Sequence, residues 1–180
     1  MAVMNTLSTE DLHALRRYAL ALTRSADSAE DLVQETLARA MQGAASWDPR
    51  RDLRKWLFGI LRNTHLSRRR REVLEAAVAD GLAALGEASM PPQQPDRIYL
   101  NQTLAAALKL PEEQREVLAL IVVEGLSYKD AAEVLGVPVG TVMSRLGRAR
   151  AFLRTASGRS EGGGTPSEAA GGGKLVRFTR

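Results

Sequence analysis

Apolar positions recur at spacings of three and four along most of the chain, which is the pattern of helices with one buried face. Residues 12–24 and residues 32–41 each carry one such stripe. A third stripe begins just after residue 52 and comprises Leu53, Trp56, Leu57, Ile60 and Leu61. Three helices with short connections predict a small helical domain at the start of the chain.

Polar residues mark the predicted ends of these helices. Ser8 and Asp11 have the spacing of a capping box, and the second helix is expected to run from near Ser28 to about Gly43. Asp52 follows an Asp-Pro turn and is a good N-cap for the third helix. We expect that helix to reach residue 73 or beyond.

The pattern changes at residue 77 and returns near residue 97. Residues 77–96 are small, polar and proline-bearing, which is typical of a flexible linker. Helical stripes then resume, with Pro111 at the first position of a helix that ends near Gly125. The segment LALIVVEG has the composition of a buried strand, but its helical neighbours favour a helix. Residues 158–180 are rich in glycine and are expected to be disordered.

Residues 127–154 predict a helix-turn-helix. Ser127 caps a short helix, Gly136 can take the left-handed conformation that ends it, and Pro138 suits the start of the next. Residues 141–159, which begin in the second helix, hold five arginines and no acid, which favours DNA binding over a helical hairpin that only packs. The fold class is therefore all-α, with two small helical domains joined by a flexible linker. The predicted divisions are 1–76, 77–96, 97–157 and a tail at 158–180.

Composition narrows the function. The chain lacks cysteine, which excludes disulfides, thiolate zinc sites and a cysteine nucleophile, and its two histidines lie far apart. We expect no metal, no cofactor and no catalytic site. The start lacks the pattern of a signal peptide, and no apolar run is long enough to cross a membrane, so a cytoplasmic location without membrane insertion is expected.

Charge is concentrated in one stretch. The chain has a net charge of only +4, whereas residues 47–71 hold nine Arg or Lys residues against two acids. Two tryptophans lie in the same stretch, so it could bind phosphates and stack on unpaired bases. The alternative is a solvated charged face over a plain helical core, and the place of Trp56 on the apolar stripe favours the core for that residue.

Four motifs occurring in this order resemble the extracytoplasmic-function group of sigma factors, which keep only the second and fourth sigma domains. They are AEDLVQETLARA, LRKWLFGILRN, LPEEQREVLAL and GLSYKDAAEVLGVPVGTVMSRLGRAR, beginning at residues 29, 53, 110 and 125. The fragments DLVQETLARA and ILRN are also similar to the general-stress sigma factors of alphaproteobacteria. In this resemblance, residues 1–76 are sigma domain 2 and residues 97–157 are sigma domain 4.

The resemblance implies three sets of binding residues. The helix with DLVQET would bind core RNA polymerase through Asp31, Gln34 and Glu35. The minus-ten element of promoter DNA would be bound by Trp47, Arg54, Lys55, Arg62, Asn63, Arg68, Arg69, Arg70 and Arg71, with Trp47 and Asn63 holding a flipped base. The minus-thirty-five element would be read by Thr141, Met143, Ser144, Arg145 and Arg148, although many relatives have a basic residue in place of Met143.

The resulting hypothesis is a non-enzymatic protein that directs core polymerase to promoters, helps open the duplex and is held by an anti-sigma factor. Alone, it is expected to bind promoter DNA poorly, because each loosely tethered domain buries little surface. The alternatives are an autonomous helix-turn-helix regulator and a sigma-like decoy that binds an anti-sigma factor but no DNA.

Overall fold

The computed structural model describes residues 6–82 and 102–156. We call these the first unit and the second unit. The helices of the first unit are α1 (Thr9–Thr23), α2 (Ala26–Gln42) and α3 (Leu53–Leu82), with a 3₁₀ turn at Ala44–Ser46 between α2 and α3. The helices of the second unit are α4 (Gln102–Leu108), α5 (Glu112–Leu118), α6 (Tyr128–Leu135) and α7 (Val139–Ala156).

The first unit is the predicted three-helix domain. Its core forms where the apolar stripes of α1, α2 and α3 meet, and the rings of Tyr18 and Phe58 pack in a T-shaped arrangement with 5.1 Å between their centroids. The helix ends follow the polar signals. Ser8 and Asp11 form a capping box at α1, and the Asp52 carboxylate accepts from the Lys55 backbone N–H at 2.8 Å. The second helix starts earlier than predicted, because Ser25 supplies its cap.

The second unit contains the predicted helix-turn-helix. The Ser127 hydroxyl accepts from the Asp130 backbone N–H at 3.1 Å, and Gly136 ends α6 with a φ of 60°. Ala131 is fully buried where α7 approaches α6, and Val142 and Ala149 are fully buried on α7. Small side chains at the crossing let the two helices come close enough to bury these apolar groups.

The segment between α5 and α6 is helical, as the surrounding pattern predicted. Residues Ala119–Val123 continue α5 as one wider π-helical turn, in which the Glu124 N–H donates to the Ala119 carbonyl. Such a turn rotates the chain that follows. It leaves Val122 and Val123 about half exposed and buries Leu120 fully.

The two units pack against each other rather than lying apart. α1 contacts α5 and the π-helical turn, and α3 contacts α6. Buried side chains of both units belong to one continuous cluster. The expected loose tethering therefore does not describe this arrangement.

The proposed boundaries fall partly outside the described residues. α3 continues to Leu82, six residues beyond the boundary placed at residue 76. The rest of the predicted linker and the predicted tail lie outside the described residues. Within residues 6–82 and 102–156, no helix combines the length and apolar character needed to cross a membrane.

We expect Gly136→Ala to destabilise the protein by about 1 kcal/mol, because an added Cβ is strained at a φ of 60° although it meets no neighbouring atom. Gly147→Ala is the matched control, since Gly147 lies in the exposed part of α7 with equally open space around it. That change should stabilise the protein by about 1 kcal/mol through helix propensity. Urea unfolding measures both, and a Gly136→Ala variant as stable as the wild type would contradict the left-handed turn.

Candidate nucleic-acid interface

Seven side chains of α3 are predicted to bind phosphates, and we call them the basic face although they point toward different neighbours. Most of them are already paired. Arg54 lies 2.9 Å from Asp11 of α1. Lys55 lies 2.8 Å from Asp130 and also contacts Glu133, both on α6. The basic face comprises Arg54, Lys55, Arg62, Arg68, Arg69, Arg70 and Arg71.

Arg62 contributes to a buried polar network between the units. Its Nε donates to Glu116 Oε1 at 2.8 Å, and the Tyr18 hydroxyl donates to the same oxygen at 2.9 Å. Glu116 is only 6% exposed, and burial raises its pKa although Arg62 acts in the opposite direction. Burial also raises the pKa of Tyr18, so its hydroxyl stays a donor at neutral pH.

Of the four consecutive arginines of the basic face, the first two have carboxylate partners and the last two are exposed. Arg68 turns toward α2, where it contacts the Glu35 carboxylate and the Asp31 carbonyl. Arg69 contacts Glu112 of the second unit, which also lies 3.1 Å from His65. Burial opposes ionisation of Glu112, but His65 and Arg69 outweigh it and lower its pKa. Arg70 and Arg71 are exposed and form no ion pair with another described residue.

The predicted base pocket is only partly assembled. Asn63 is exposed and lines an open cleft of about 820 Å³ between the units, together with Trp56. Trp47 is 8% exposed and packs on Trp56 with 6.3 Å between ring centroids. Its indole N–H is buried without a hydrogen-bond partner among the described residues. The structure therefore brings Asn63 to the cleft and keeps Trp47 behind Trp56.

The exposed face of α7 carries most of the predicted minus-thirty-five residues. Met143 is 56% exposed, and Ser144 and Arg148 are also exposed, whereas Thr141 is half-buried. The Ser144 hydroxyl donates to the Thr141 carbonyl at 3.0 Å. Arg145 differs from its neighbours, because it lies 2.9 Å from Glu113 at the start of α5 and is mostly covered.

The predicted polymerase-binding face lies on α2. Asp31 and Gln34 are exposed. Glu35 is partly buried and is held by Arg39 and Arg68. Burial opposes ionisation of Glu35, but these two arginines outweigh it and lower its pKa.

Sequence reasoning missed the partners of the basic face. Five carboxylates of the second unit contact side chains of the first unit, and we call them the acidic face. They are Glu112, Glu116, Glu124, Asp130 and Glu133. Their spacing has no distinctive pattern, and LPEEQREVLAL carried only the family resemblance. No local signal in the sequence pointed to their partners.

Arg115 was also missed. It is only 5% exposed, and its guanidinium crosses to the first unit, where it donates to the carbonyls of Ala21 and Leu22. It also donates to the Leu110 carbonyl at 2.6 Å. Burial lowers its pKa, but a guanidinium remains charged. The carbonyls at the end of α1 lack partners within the helix, and Arg115 satisfies two of them from the second unit.

Comparison with known proteins decides the family. The family model described as Sigma-70, region 4 matches residues 100–153, and the model described as the Sigma2 domain of PhyR matches residues 9–62. The ECF RNA polymerase sigma factor EcfG of Rhodopseudomonas palustris is 44% identical over 140 residues, covering 78% of this chain and 77% of the relative. The chain belongs to the ECF family of RNA polymerase sigma factors.

A further relative and a solved structure support the same family. The ECF sigma factor SigL of Mycobacterium tuberculosis is 37% identical over 162 residues, covering 85% of this chain and 88% of the relative. The solved structure of the sigma factor RpoE in complex with the anti-sigma factor NepR from Bartonella quintana superposes with a TM-score of 0.68 and 36% identity, over 84% of this chain and 94% of that one. The predicted family and the predicted all-α fold are confirmed.

We expect Arg115→Met to destabilise the sigma factor by about 3 kcal/mol, because it leaves buried carbonyls of both units without their charged donor. The control is Arg16→Met, since Arg16 forms an exposed pair with Glu30 on the surface of the first unit. That variant should unfold at nearly the wild-type midpoint. Thermal unfolding compares the two, and equal midpoints would show that Arg115 does not join the units.

Proposed function

We propose that this sigma factor uses three separate surfaces, one for each of its three binding partners or DNA elements. The α2 face with Asp31, Gln34 and Glu35 binds core RNA polymerase. The minus-ten element is held by Trp47, Asn63 and the basic face of α3. The minus-thirty-five element is read by Thr141, Met143, Ser144, Arg145 and Arg148 of α7. The protein directs polymerase to promoters and helps open them, and it catalyses no reaction itself.

One observation carries the proposal. Two separately matched sigma modules lie in one chain, and each presents a polar surface that its own fold leaves uncovered. On α2 this surface includes Asp31 and Gln34, and on α7 it includes Ser144 and Arg148. Exposed polar rows opposite a buried stripe are available to a partner, because the packing of the unit does not use them.

The recognition role of α7 is supported by its position in the helix-turn-helix. The second helix of this motif enters the major groove, and its first turns contact base edges. Thr141, Ser144 and Arg148 lie in the first three turns of α7. Arginine and hydroxyl side chains suit base edges and phosphates, whereas Met143 can offer only an apolar contact.

The minus-ten role requires rearrangement of the surface described above. Lys55, Arg62 and Arg69 would have to exchange carboxylates of the second unit for phosphates. Trp47 would have to leave Trp56 to stack on an extruded base, and extrusion costs a few kcal/mol that the pocket must recover. Arg70 and Arg71 are exposed and available at once.

The partner and the compartment follow from the same proposal. The Bartonella quintana neighbour was solved with an anti-sigma factor, and 94% of that chain superposes on this one. We therefore propose an anti-sigma factor as a second protein partner, and the cytoplasm as the location. Residues 1–76 would serve as sigma domain 2 and residues 97–157 as sigma domain 4.

Run-off transcription with purified core polymerase tests the function. Templates come from a library of genomic fragments, and initiation that depends on the added protein supports the proposal. If core polymerase is neither bound nor redirected while the protein alone binds specific DNA, the autonomous regulator is the better description. If neither occurs, a sigma-like decoy that binds an anti-sigma factor but no DNA is the better description.

We expect Asn63→Ala and Trp47→Ala each to slow promoter opening about tenfold or more. Trp47→Ala removes the stacking surface of the extruded base, worth about 1–3 kcal/mol, and Asn63→Ala removes hydrogen bonds to its edge, worth about 1–3 kcal/mol. Binding to core polymerase should be unchanged. Asn63 is the sharper test, because it is exposed and its truncation leaves the core intact. Permanganate footprinting of the melted region measures opening, and wild-type footprints in both variants would contradict the pocket.

We expect Asp31→Ala and Gln34→Ala to weaken association with core polymerase about fivefold to tenfold each, because each loses an exposed polar contact of roughly 1 kcal/mol. Gln42→Ala is the control, since Gln42 is an exposed polar residue at the end of the same helix. Fluorescence anisotropy of the labelled sigma factor titrated with core measures the change. Equal affinities of all three variants for core polymerase would show that polymerase binds a different surface.

A further inference from the structure

The acidic face of the second unit meets cations of the first unit at every one of its five positions. The strongest geometry is at Glu124, whose two carboxylate oxygens each lie 2.8 Å from the Arg17 guanidinium. Its side chain is 1% exposed. Two parallel charge-assisted hydrogen bonds fix orientation as well as distance, so this pair defines how the units are aligned.

Three cations used in this contact are ones proposed above to hold DNA phosphates. They are Lys55, Arg62 and Arg69, and their partners lie on α5 and α6. Arg62 is the most enclosed, with 18% of its side chain exposed. Its Nε already donates to the buried Glu116 carboxylate, so that donor is not available to a phosphate while the units are in contact. The acidic face therefore occupies the positions that the backbone of promoter DNA would take.

The contact has a buried part as well as a charged one. Tyr18 joins Glu116 across the boundary, and Arg115 donates to the carbonyl groups at the end of α1. Exposed ion pairs alone contribute little, but pairs that are enclosed and hydrogen-bonded are costly to break singly. Separation of the units must expose these groups together.

We propose that the free sigma factor masks its own minus-ten surface, with the acidic face of the second unit substituting for DNA phosphates. Promoter binding then requires separation of the units. A protein that binds DNA only when open loses apparent affinity in proportion to its open fraction. This inference rests on the proposed DNA-binding role of the basic face. It gives a different reason for the expected weak binding of the free protein to promoter DNA: the acidic face competes with DNA, whereas loose tethering of the units does not explain it.

Charge reversal on the acidic side tests the mask without touching a proposed DNA-binding residue. Glu124→Lys and Glu133→Lys, made together, place like charges against Arg17 and Lys55. The matched control combines Asp27→Lys with Glu30→Lys. These two acids lie on α2, and Glu30 pairs with Arg16 inside the first unit. Both double variants change the net charge equally, so general attraction to DNA rises equally in both.

Opening is read directly by fluorescence energy transfer. The chain has no cysteine, so dyes can be attached at Gln42→Cys on α2 and Ala151→Cys on α7, both exposed positions. A single-stranded minus-ten oligonucleotide supplies the affinity readout by anisotropy. Run-off transcription with excess core polymerase is measured in parallel, so that loss of the mask is distinguished from loss of sigma activity.

The expected result is lower energy transfer in the Glu124→Lys, Glu133→Lys variant and binding of the oligonucleotide about tenfold tighter than in the control. Adding Arg17→Glu to Glu124→Lys alone should restore both values toward wild type, because it swaps the charges of one pair. Unchanged energy transfer would overturn the closed state. Reduced transfer with an affinity equal to that of the control would overturn masking. Absence of transcription with the wild-type protein would contradict the proposed function instead.

Discussion

The arrangement of this sigma factor depends on one buried carboxylate. Glu116 lies where α5 of the second unit meets α1 and α3 of the first, and one of its oxygens accepts from both Tyr18 and Arg62. A buried carboxylate is tolerated only when donors surround it. Here the donors come from the other unit, so the second unit cannot leave without exposing Glu116, Arg62 and the Tyr18 hydroxyl to new partners. The packing of the two units is thus tied to the pairing of the basic face.

Local features of the fold could be predicted because their causes are local. The capping box at Ser8, the N-cap at Asp52 and the left-handed Gly136 each depend on residues within four positions. The periodic stripes predicted which faces are buried, and the helical neighbours of LALIVVEG correctly outweighed its strand-like composition. The start of α2 was missed because two serines three residues apart, Ser25 and Ser28, are both good caps, and the earlier one is used.

The candidate site was predicted less completely, because its electrostatics are not local. Arg17 and Glu124 are 107 positions apart, and Arg62 and Glu116 are 54 apart. The sequence shows that a side chain is charged but not which charge will face it. Trp47 shows the same limit for an aromatic residue. A rare tryptophan in a basic stretch suggested an accessible stacking surface, yet the short loop before α3 turns its ring onto Trp56. The exposed residues Asn63, Met143 and Arg148 lie where helical spacing predicted, since each lies opposite a buried stripe.

The distribution of charge explains how a basic protein would bind DNA weakly in the closed state that we propose. The net charge is only +4, although the basic face holds seven cations and α7 holds four arginines. The second unit carries acids on the side that faces α3 and arginines on the exposed side of α7. The second unit thus presents acids on one side and arginines on another, and the net charge of the chain does not reveal this separation. In the proposed mask, the acidic side would compete with DNA phosphates for the same donors, since each contact would exchange one anionic oxygen for another at the same cation. Release of the mask therefore depends on separating the buried groups around Glu116. The more exposed cations Lys55 and Arg69 then decide whether a carboxylate or a phosphate is bound.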